Sequence, residues 1–285
     1  MTLLELQNVR KYFPGPKHFL EETQYVRAVD HVDLTIVEGE NLGLVGESGS
    51  GKTTLGRLIM KLHKADSGAI ILNGKDISKL SDNEFRPLRK NVQMVFQDPY
   101  SSLDPRFTVH GLLAEADQLS QEKKDRNARL EKAIQAVGLD ISCLKRYPHE
   151  FSGGERQRIA IARCLVMNPK LLILDEAVSS LDVLIQEQVL QLLKSLQQQY
   201  PVTYLFISHN LRVVRKICHK IAVMYRGKIV ELAASDEILR NPLHPYTKEL
   251  LTAAIDYKSV DKPYNEPIGE NSRLIDNGNG HFVIN

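Results

Sequence analysis

The sequence predicts an α/β fold with a phosphate-binding loop and an inserted helical lobe, and three observations predict it. A glycine-rich run, Gly46-Glu47-Ser48-Gly49-Ser50-Gly51-Lys52-Thr53, lies between an apolar strand and a segment of helical spacing. A wholly apolar run, Leu171 to Leu174, ends in two carboxylates, Asp175 and Glu176, as a buried parallel strand with a polar tip would. Between these, from Asp98 to about Arg146, the composition turns to Lys, Glu, Gln, Leu and Ala and reads as helical. A chain of 285 residues suffices for one large α/β domain, or for a main domain with a smaller lobe.

Each element follows from local pattern. Leu3 to Val9 alternates and is rich in β-formers, so it predicts a first strand, stopped by Pro14-Gly15-Pro16. Val32 to Val37 and Asn41 to Val45 predict two more strands around the turn at Glu38-Gly39-Glu40, the second running into the glycine loop. Leu55, Leu58, Ile59 and Leu62 repeat at helical spacing after Lys52. Gly68 to Leu72 predicts a strand ending at the Asn73-Gly74 turn, and Asn91 to Phe96 another, ending at Gln97. The helical lobe has breaks at Asp98-Pro99 and Asp104-Pro105, and a further helix is expected to begin after Ser152 and run through Leu165. Gln186 to Gln199 is an amphipathic helix, Val202 to Ile207 a strand, and Ile221 to Tyr225 with Lys228 to Leu232 a hairpin across Arg226-Gly227. Tyr246 to Ile255 predicts a last helix, and from Asp256 the chain is polar and rich in Gly, Asn and Asp, so 256–285 is expected to pack poorly. There is no internal repeat.

Bulk chemistry excludes several classes. Hydrophobic residues make up 42% and charged residues 25%, the balance of a globular protein, and a net charge of +2 gives no field for nucleic acid. The basic stretches Arg86 to Lys90 and Lys123 to Arg129 read as solvated helix faces. No apolar run reaches the roughly 18 residues of a membrane span. The start, Met1-Thr2-Leu3-Leu4-Glu5, lacks the pattern of a secretory signal. Cys143, Cys164 and Cys218 are too scattered for a metal or disulfide pattern, so a reducing, cytosolic compartment is expected.

In the glycine loop, backbone N–H groups can turn toward a β-phosphate, and the helix that follows adds its N-terminal dipole. Lys52 is expected to reach the β- and γ-phosphates and Thr53 to hold Mg²⁺ through its hydroxyl. No Asn-Lys-x-Asp guanine-reading run occurs late in the chain, which favours adenine. Asp175 and Glu176 lie at a strand end, where ligands bind in open parallel sheets. Asp175 is expected to contact Mg²⁺, and Glu176 to orient or deprotonate the attacking water, or else to cap the following helix. Gln97 and His209 each follow an apolar strand and are candidates for sensing the γ-phosphate or Mg²⁺.

Together with the phrase Phe151-Ser152-Gly153-Gly154-Glu155-Arg156-Gln157-Arg158, these residues resemble the ATP-binding subunits of ABC transporters, over nearly all of residues 3 to 255. The resemblance implies a P-loop NTPase core of ABC-ATPase type over 1–255, with an antiparallel β subdomain and a helical subdomain inserted at about 98–165. It makes Gly46 to Thr53 the Walker A loop, with Thr54 beside it, and Gln97 the Q-loop glutamine. It makes Leu171 to Asp175 the Walker B strand, Glu176 the catalytic glutamate, Ser180-Leu181-Asp182 the D-loop and His209 the switch histidine. Tyr12 is the candidate for stacking on adenine, with Tyr25 and Phe19 as alternatives because the segment from Tyr12 to Val26 is longer than in many relatives. Ser152, Gly153, Gly154 and Glu155 form the signature, which implies a composite site in which this helix start meets the γ-phosphate held by a second subunit. An ordinary Ser152 N-cap uses the same helix end, and both can hold. Phe151 and Glu155 depart from the commonest signature, which has Leu and Gln there, and Ala177-Val178 stands where Pro-Thr is usual.

The run Val95 to Arg106 and the phrase Asn241-Pro242-Leu243-His244-Pro245-Tyr246-Thr247 resemble the oligopeptide, dipeptide and nickel import group. Asp-Glu-Ala-Val-Ser-Ser-Leu-Asp and Leu211-Arg212-Val213-Val214 lean toward nickel or metal-chelate cargo within it. The resemblance implies hydrolysis of ATP with Mg²⁺ at the cytoplasmic face of the cell membrane by a peripheral subunit. Its expected partners are two transmembrane permease subunits, a paralogous ATPase subunit and, through the complex, an extracytoplasmic substrate-binding protein; no nucleic acid is expected. The rival readings are a soluble ABC ATPase of DNA repair or translation, a non-hydrolysing regulatory subunit and, more weakly, an exporter.

Overall fold

β1 (Thr2–Pro14) buries Leu3, Leu4, Leu6 and Val9, and its backbone is paired on both edges by antiparallel neighbours. A computed structural model describes residues 1–15, 24–98, 102–118, 125–256, 264–269 and 272–285. The chain divides into two compact units, one of residues 1–79 and 206–285, the other of residues 80–205.

In the first unit β1 pairs with β2 (Tyr25–Val37). Both strands are longer than their alternation predicts. Asn8 and His31 adopt left-handed backbone, φ 49° and 56°, and the register shifts between Leu6 and Val9. Such a bulge resets the phase of alternation, so Lys11 to Pro14 and Tyr25 to Val29 pair although their pattern reads as loop. β3 (Leu42–Val45) is buried throughout and runs into the glycine loop, followed by α1 (Lys52–Ile59), which buries Leu55, Leu58 and Ile59. β4 (Ser67–Leu72) and β5 (Lys75–Asp76) complete a sheet of order β2-β1-β4-β5.

The second unit opens with α2 (Asp82–Phe85) and β6 (Val92–Val95). Its helical part holds α3 (Val109–Asp117), capped by Thr108, and α4 (Arg126–Ala136). Asp117, with its side chain 1% exposed, is gripped by Arg126 at 3.0 Å and Arg129 at 2.8 Å, which ties the two helices together. α5 (Gly153–Leu165) buries Ile159, Ile161 and Leu165. β7 (Leu171–Asp175) is buried over its whole length and pairs in parallel with β6, Val92 opposite Leu171 and Val95 opposite Leu174. α6 (Val183–Gln199) begins at its Asp182 cap, a turn earlier than its apolar spacing predicts, because Val183 and Leu184 are exposed. β8 (Thr203–Ser208) is wholly buried and carries the chain back to the first unit. The expected break at Asp98-Pro99 falls partly outside the described residues.

There the chain forms α7 (Leu211–Arg215), β9 (Lys220–Tyr225) and β10 (Lys228–Ala234), the expected hairpin across Arg226-Gly227. β9 pairs in parallel with β3, Leu42 opposite Lys220 and Val45 opposite Val223. α8 (Ser235–Arg240) and α9 (Pro245–Asp256) follow. The expectation of a poorly packed segment over 256–285 is corrected at its end. β11 (Leu274–Asp276) and β12 (Phe282–Ile284) pair with each other, and β12 adds to β10, with Glu231 opposite Val283. The physical reason is His281, 5% exposed, whose Nε2 lies 2.7 Å from the fully buried Glu231 carboxylate. A buried charge needs such partners, and a polar composition conceals them. Among the described residues no helix is long and apolar enough to cross a membrane.

Candidate functional site

The glycine loop closes on Lys52. Its Nζ lies 2.8 Å from Gly46 O, 2.6 Å from Glu47 O and 3.2 Å from Ser50 Oγ. Two glycines make this curvature possible. Gly46 has φ 153° and Gly51 φ 107°, and a Cβ would lie 2.1 Å from Met224 O at the first and 2.0 Å from Ala28 O at the second. Gly51 is the N-cap of α1, with no side chain to occupy the first amides. Ser48 and Gly49 are exposed at the loop tip, and Thr53 and Thr54 stand half-buried on the first turn of α1. The result is a ring of backbone around a buried ammonium at a helix start, a cradle that fits a phosphate chain.

Tyr12 lies in the same unit. Its hydroxyl donates to Asp30 Oδ1 at 2.5 Å, and the Arg27 guanidinium lies 5.8 Å from its ring centroid. Burial, reinforced by Asp30, pushes the Tyr12 phenol up to about 12. Burial would raise the Asp30 carboxyl, yet the Tyr12 hydrogen bond and the Lys228 ammonium, 3.4 Å away, hold it below its usual value. Sequence reasoning had no signal for this clasp. Tyr25 is exposed on β2, and Phe19 lies outside the described residues. His209 follows β8 and is exposed, with Asn210 capping α7 just after it.

The second unit holds the carboxylates. Asp175 ends β7 and is 2% exposed. Glu176 has left-handed backbone, φ 47°, and its Oε2 accepts a hydrogen bond from Gln97 Nε2 at 2.8 Å. The ends of β6 and β7 thus bring together two residues that the sequence could only propose separately. Ser179 N and Oγ both donate to Glu176 O, at 3.1 and 2.8 Å, and fix the turn that leads to Asp182. Asp182 Oδ1 in turn accepts from Ile185 N at 2.9 Å and caps α6. The helix-capping alternative for Glu176 is therefore met by Asp182 instead.

The phrase at 151–158 forms a complete capping box. Ser152 Oγ accepts from Glu155 N at 3.4 Å, while Ser152 N and Oγ donate to Glu155 Oε2 at 2.9 and 2.8 Å. Hydrogen bonds from Ser152 hold the Glu155 carboxyl below the usual range. The reciprocal role of Glu155 was readable in the Ser-x-x-Glu spacing. Gly154 must be small, since a Cβ would lie 2.5 Å from Ile185 Cγ2.

Thr53 in the first unit, and Gln97 and Asp175 in the second, each carry an oxygen of the hard kind that suits Mg²⁺, and among the described residues no group of three or more His, Cys, Asp or Glu gathers to hold an ion. An Mg²⁺ that keeps water and phosphate oxygens needs only one or two protein ligands.

A family model described as "ABC transporter" matches residues 29–179, and one described as "Oligopeptide/dipeptide transporter, C-terminal region" matches residues 230–280. The chain is 50% identical over 256 residues to the oligopeptide transport ATP-binding protein AppF of Bacillus subtilis (strain 168), covering 88% of this chain and 78% of that one. It is 45% identical over 294 residues to the oligopeptide transport ATP-binding protein OppF of Streptococcus mutans serotype c, covering 99% and 94%. Among solved structures, the dimeric post-hydrolysis state of the ATP-binding cassette MJ0796 bound to ADP and Pi matches with TM-score 0.72 at 26% identity, covering 82% of this chain and 99% of that one. With the glycine loop, the acidic strand end and the Ser-Gly-Gly-Glu helix start in place, the chain belongs to the ABC transporter family, as an ATP-binding subunit of the oligopeptide and dipeptide transporter group.

Proposed function

We propose that this chain hydrolyses ATP at the cytoplasmic face of a membrane to drive import of short peptides. The observation that carries the reading is the pair of family models on one chain, the ABC transporter match over 29–179 and the oligopeptide/dipeptide transporter match over 230–280. The relatives' names favour peptide over the nickel or metal-chelate cargo toward which the motifs leaned.

Each residue has a role in this reading. Tyr12 stacks on adenine. The amides of Ser48 to Thr54 and the Lys52 ammonium hold the phosphates, and the glycines at 46, 49 and 51 let that backbone approach. Thr53, Gln97 and Asp175 would hold Mg²⁺, which supplies positive charge to the phosphate oxygens when bound. Glu176 orients the attacking water and takes its proton, with Gln97 steering the carboxylate and His209 placing the γ-phosphate. Ser152, Gly153, Gly154, Glu155 and Asp182 serve the ATP of a paralogous partner subunit. Two permease subunits and an extracytoplasmic binding protein complete the assembly. Hydrolysis lets the pair of ATPases reopen and reset the permeases.

The experiment is ATP-driven uptake of a labelled oligopeptide, with Ni²⁺ in parallel, into proteoliposomes carrying the assembled transporter. Peptide uptake that stops with Lys52→Ala is expected. Uptake of Ni²⁺ without peptide would overturn the cargo, and peptide uptake that survives Lys52→Ala would overturn the role of ATP.

A further inference from the structure

The phrase Asn241 to Thr247 marks the oligopeptide group, yet the reading above gives it no work. In the structure it sits at the middle of a continuous hydrogen-bonded chain within the first unit. The chain starts at β12's neighbour His281, whose Nε2 lies 2.7 Å from Glu231 Oε1. Glu231, on β10 and fully buried, also accepts from Leu243 N at 2.8 Å and from His244 N at 3.0 Å. The His244 ring then accepts at Nδ1 from Tyr246 N at 3.1 Å. Burial pushes the His244 imidazole toward its neutral form, which leaves that nitrogen able to accept. Finally, the Tyr246 hydroxyl accepts from Glu47 N at 2.8 Å, inside the phosphate-binding loop.

The linkage is anchored on Glu231. A buried carboxylate holds two backbone amides and an imidazole, and charged hydrogen bonds of this kind are the strong ones. Pro242 and Pro245 fix the backbone between the anchors, Pro245 at the first position of α9. The Tyr246 ring is 1% exposed and packs on Tyr225 with centroids 4.4 Å apart. Tyr264, from beyond α9, closes the cluster against Tyr225 at 5.3 Å and His244 at 5.4 Å. The packed ring thus places its hydroxyl against the second residue of the loop.

We propose that the C-terminal region positions the phosphate-binding loop, with Tyr246 as the positioning residue and the His281–Glu231 contact as its anchor, and so sets the affinity of this subunit for ATP. The proposal rests on the reading of the loop as an ATP site. It gives the polar end of the chain a task at the nucleotide, and it explains why Glu47, whose side chain is exposed, has its backbone held from a distant segment. Without the hydroxyl, the Glu47 amide loses its acceptor while the ring packing is kept, so the loop samples more conformations and binding pays for ordering it.

The test uses the full chain and its Tyr246→Phe, His281→Ala and Lys52→Ala variants. Calorimetric titration with MgADP and MgATP and the thermal midpoint without nucleotide are measured on the chain, and the KM and kcat for ATP on the assembled transporter carrying the same variants. Tyr246→Phe is expected to weaken binding and raise KM by roughly threefold to tenfold, with kcat unchanged and only a small fall in the midpoint without nucleotide. His281→Ala is expected to act in the same direction, and the double variant to fall short of the product of the two, because both break one chain. Unchanged affinity and KM in Tyr246→Phe would overturn the proposal, as would a fall in midpoint with no change in KM, which is what packing alone would give. If the wild-type chain binds neither nucleotide, or if Lys52→Ala binds both as well as the wild type, the reading of the loop as an ATP site fails and the proposal falls with it.

Discussion

Glu176 combines a left-handed backbone, φ 47°, with a carboxylate held by Gln97. A non-glycine residue in that region costs on the order of 1 kcal/mol, and such strain tends to persist where a side chain must be aimed. Glu176→Gln is expected to bind ATP normally and to lower turnover at least about a hundredfold, checked by steady-state phosphate release beside nucleotide titration. Turnover within a few-fold of wild type would remove Glu176 from the chemistry. A second residue-scale expectation concerns Asp30, whose carboxyl is held below its usual 3.8 by Tyr12 and Lys228 against the opposing effect of burial. Its folded value is depressed, so its contribution to stability is present above pH 3.8 and is lost as pH falls through the folded value. Asp30→Asn should melt lower than wild type at neutral pH, and the gap should close on acidification below 3.8. A gap that is constant with pH would show that the carboxylate charge is not what stabilises. The loop around Lys52 and the strand that ends at Asp175 and Glu176 were legible because a glycine pattern and an apolar run announce them. The Asp30 clasp and the Tyr246 contact were not, because residues far apart in the chain make them and neither carries a local pattern.

At the scale of elements, the start of α5 is a cap in the structure and, in the proposed reading, also the contact for a partner's γ-phosphate. Its capping box satisfies the first amides within the subunit, and its exposed Ser152 and glycine backbone remain at the surface. Ser152→Ala is expected to cost about 1 kcal/mol of stability. It should also lower ATP turnover of the assembled pair beyond what that loss explains, because the same hydroxyl is assigned to the partner's γ-phosphate. Chemical denaturation paired with turnover separates the two effects, and a stability loss with full turnover would leave Ser152 a cap alone. The boundaries of this helix were readable from its cap, and those of α6 were less so, since exposed Val183 and Leu184 blur its apolar face. β1 and β2 were read short because Asn8 and His31 interrupt the alternation that reveals a strand. β11 and β12 were missed altogether, since three-residue strands among Gly, Asn and Asp depend on pairing with β10 rather than on their own propensity.

For the whole molecule, the residues proposed for the chemistry are distributed over two compact units. The phosphate loop, Tyr12 and His209 belong to one compact unit, and Gln97, Asp175, Glu176, Ser152 and Asp182 to the other. The α/β class and the family were legible early, since a few short motifs carry them, whereas the anchoring of the C-terminal region needed coordinates. The most direct measurement is purification of the tagged chain from native membranes, with identification of its partners and assay of ATP turnover by the intact assembly. Two permease subunits and a second ATPase subunit are expected, with turnover stimulated by a peptide-loaded binding protein and lost in Glu176→Gln. Recovery of the chain without membrane subunits, or turnover that persists in Glu176→Gln, would contradict the proposed function.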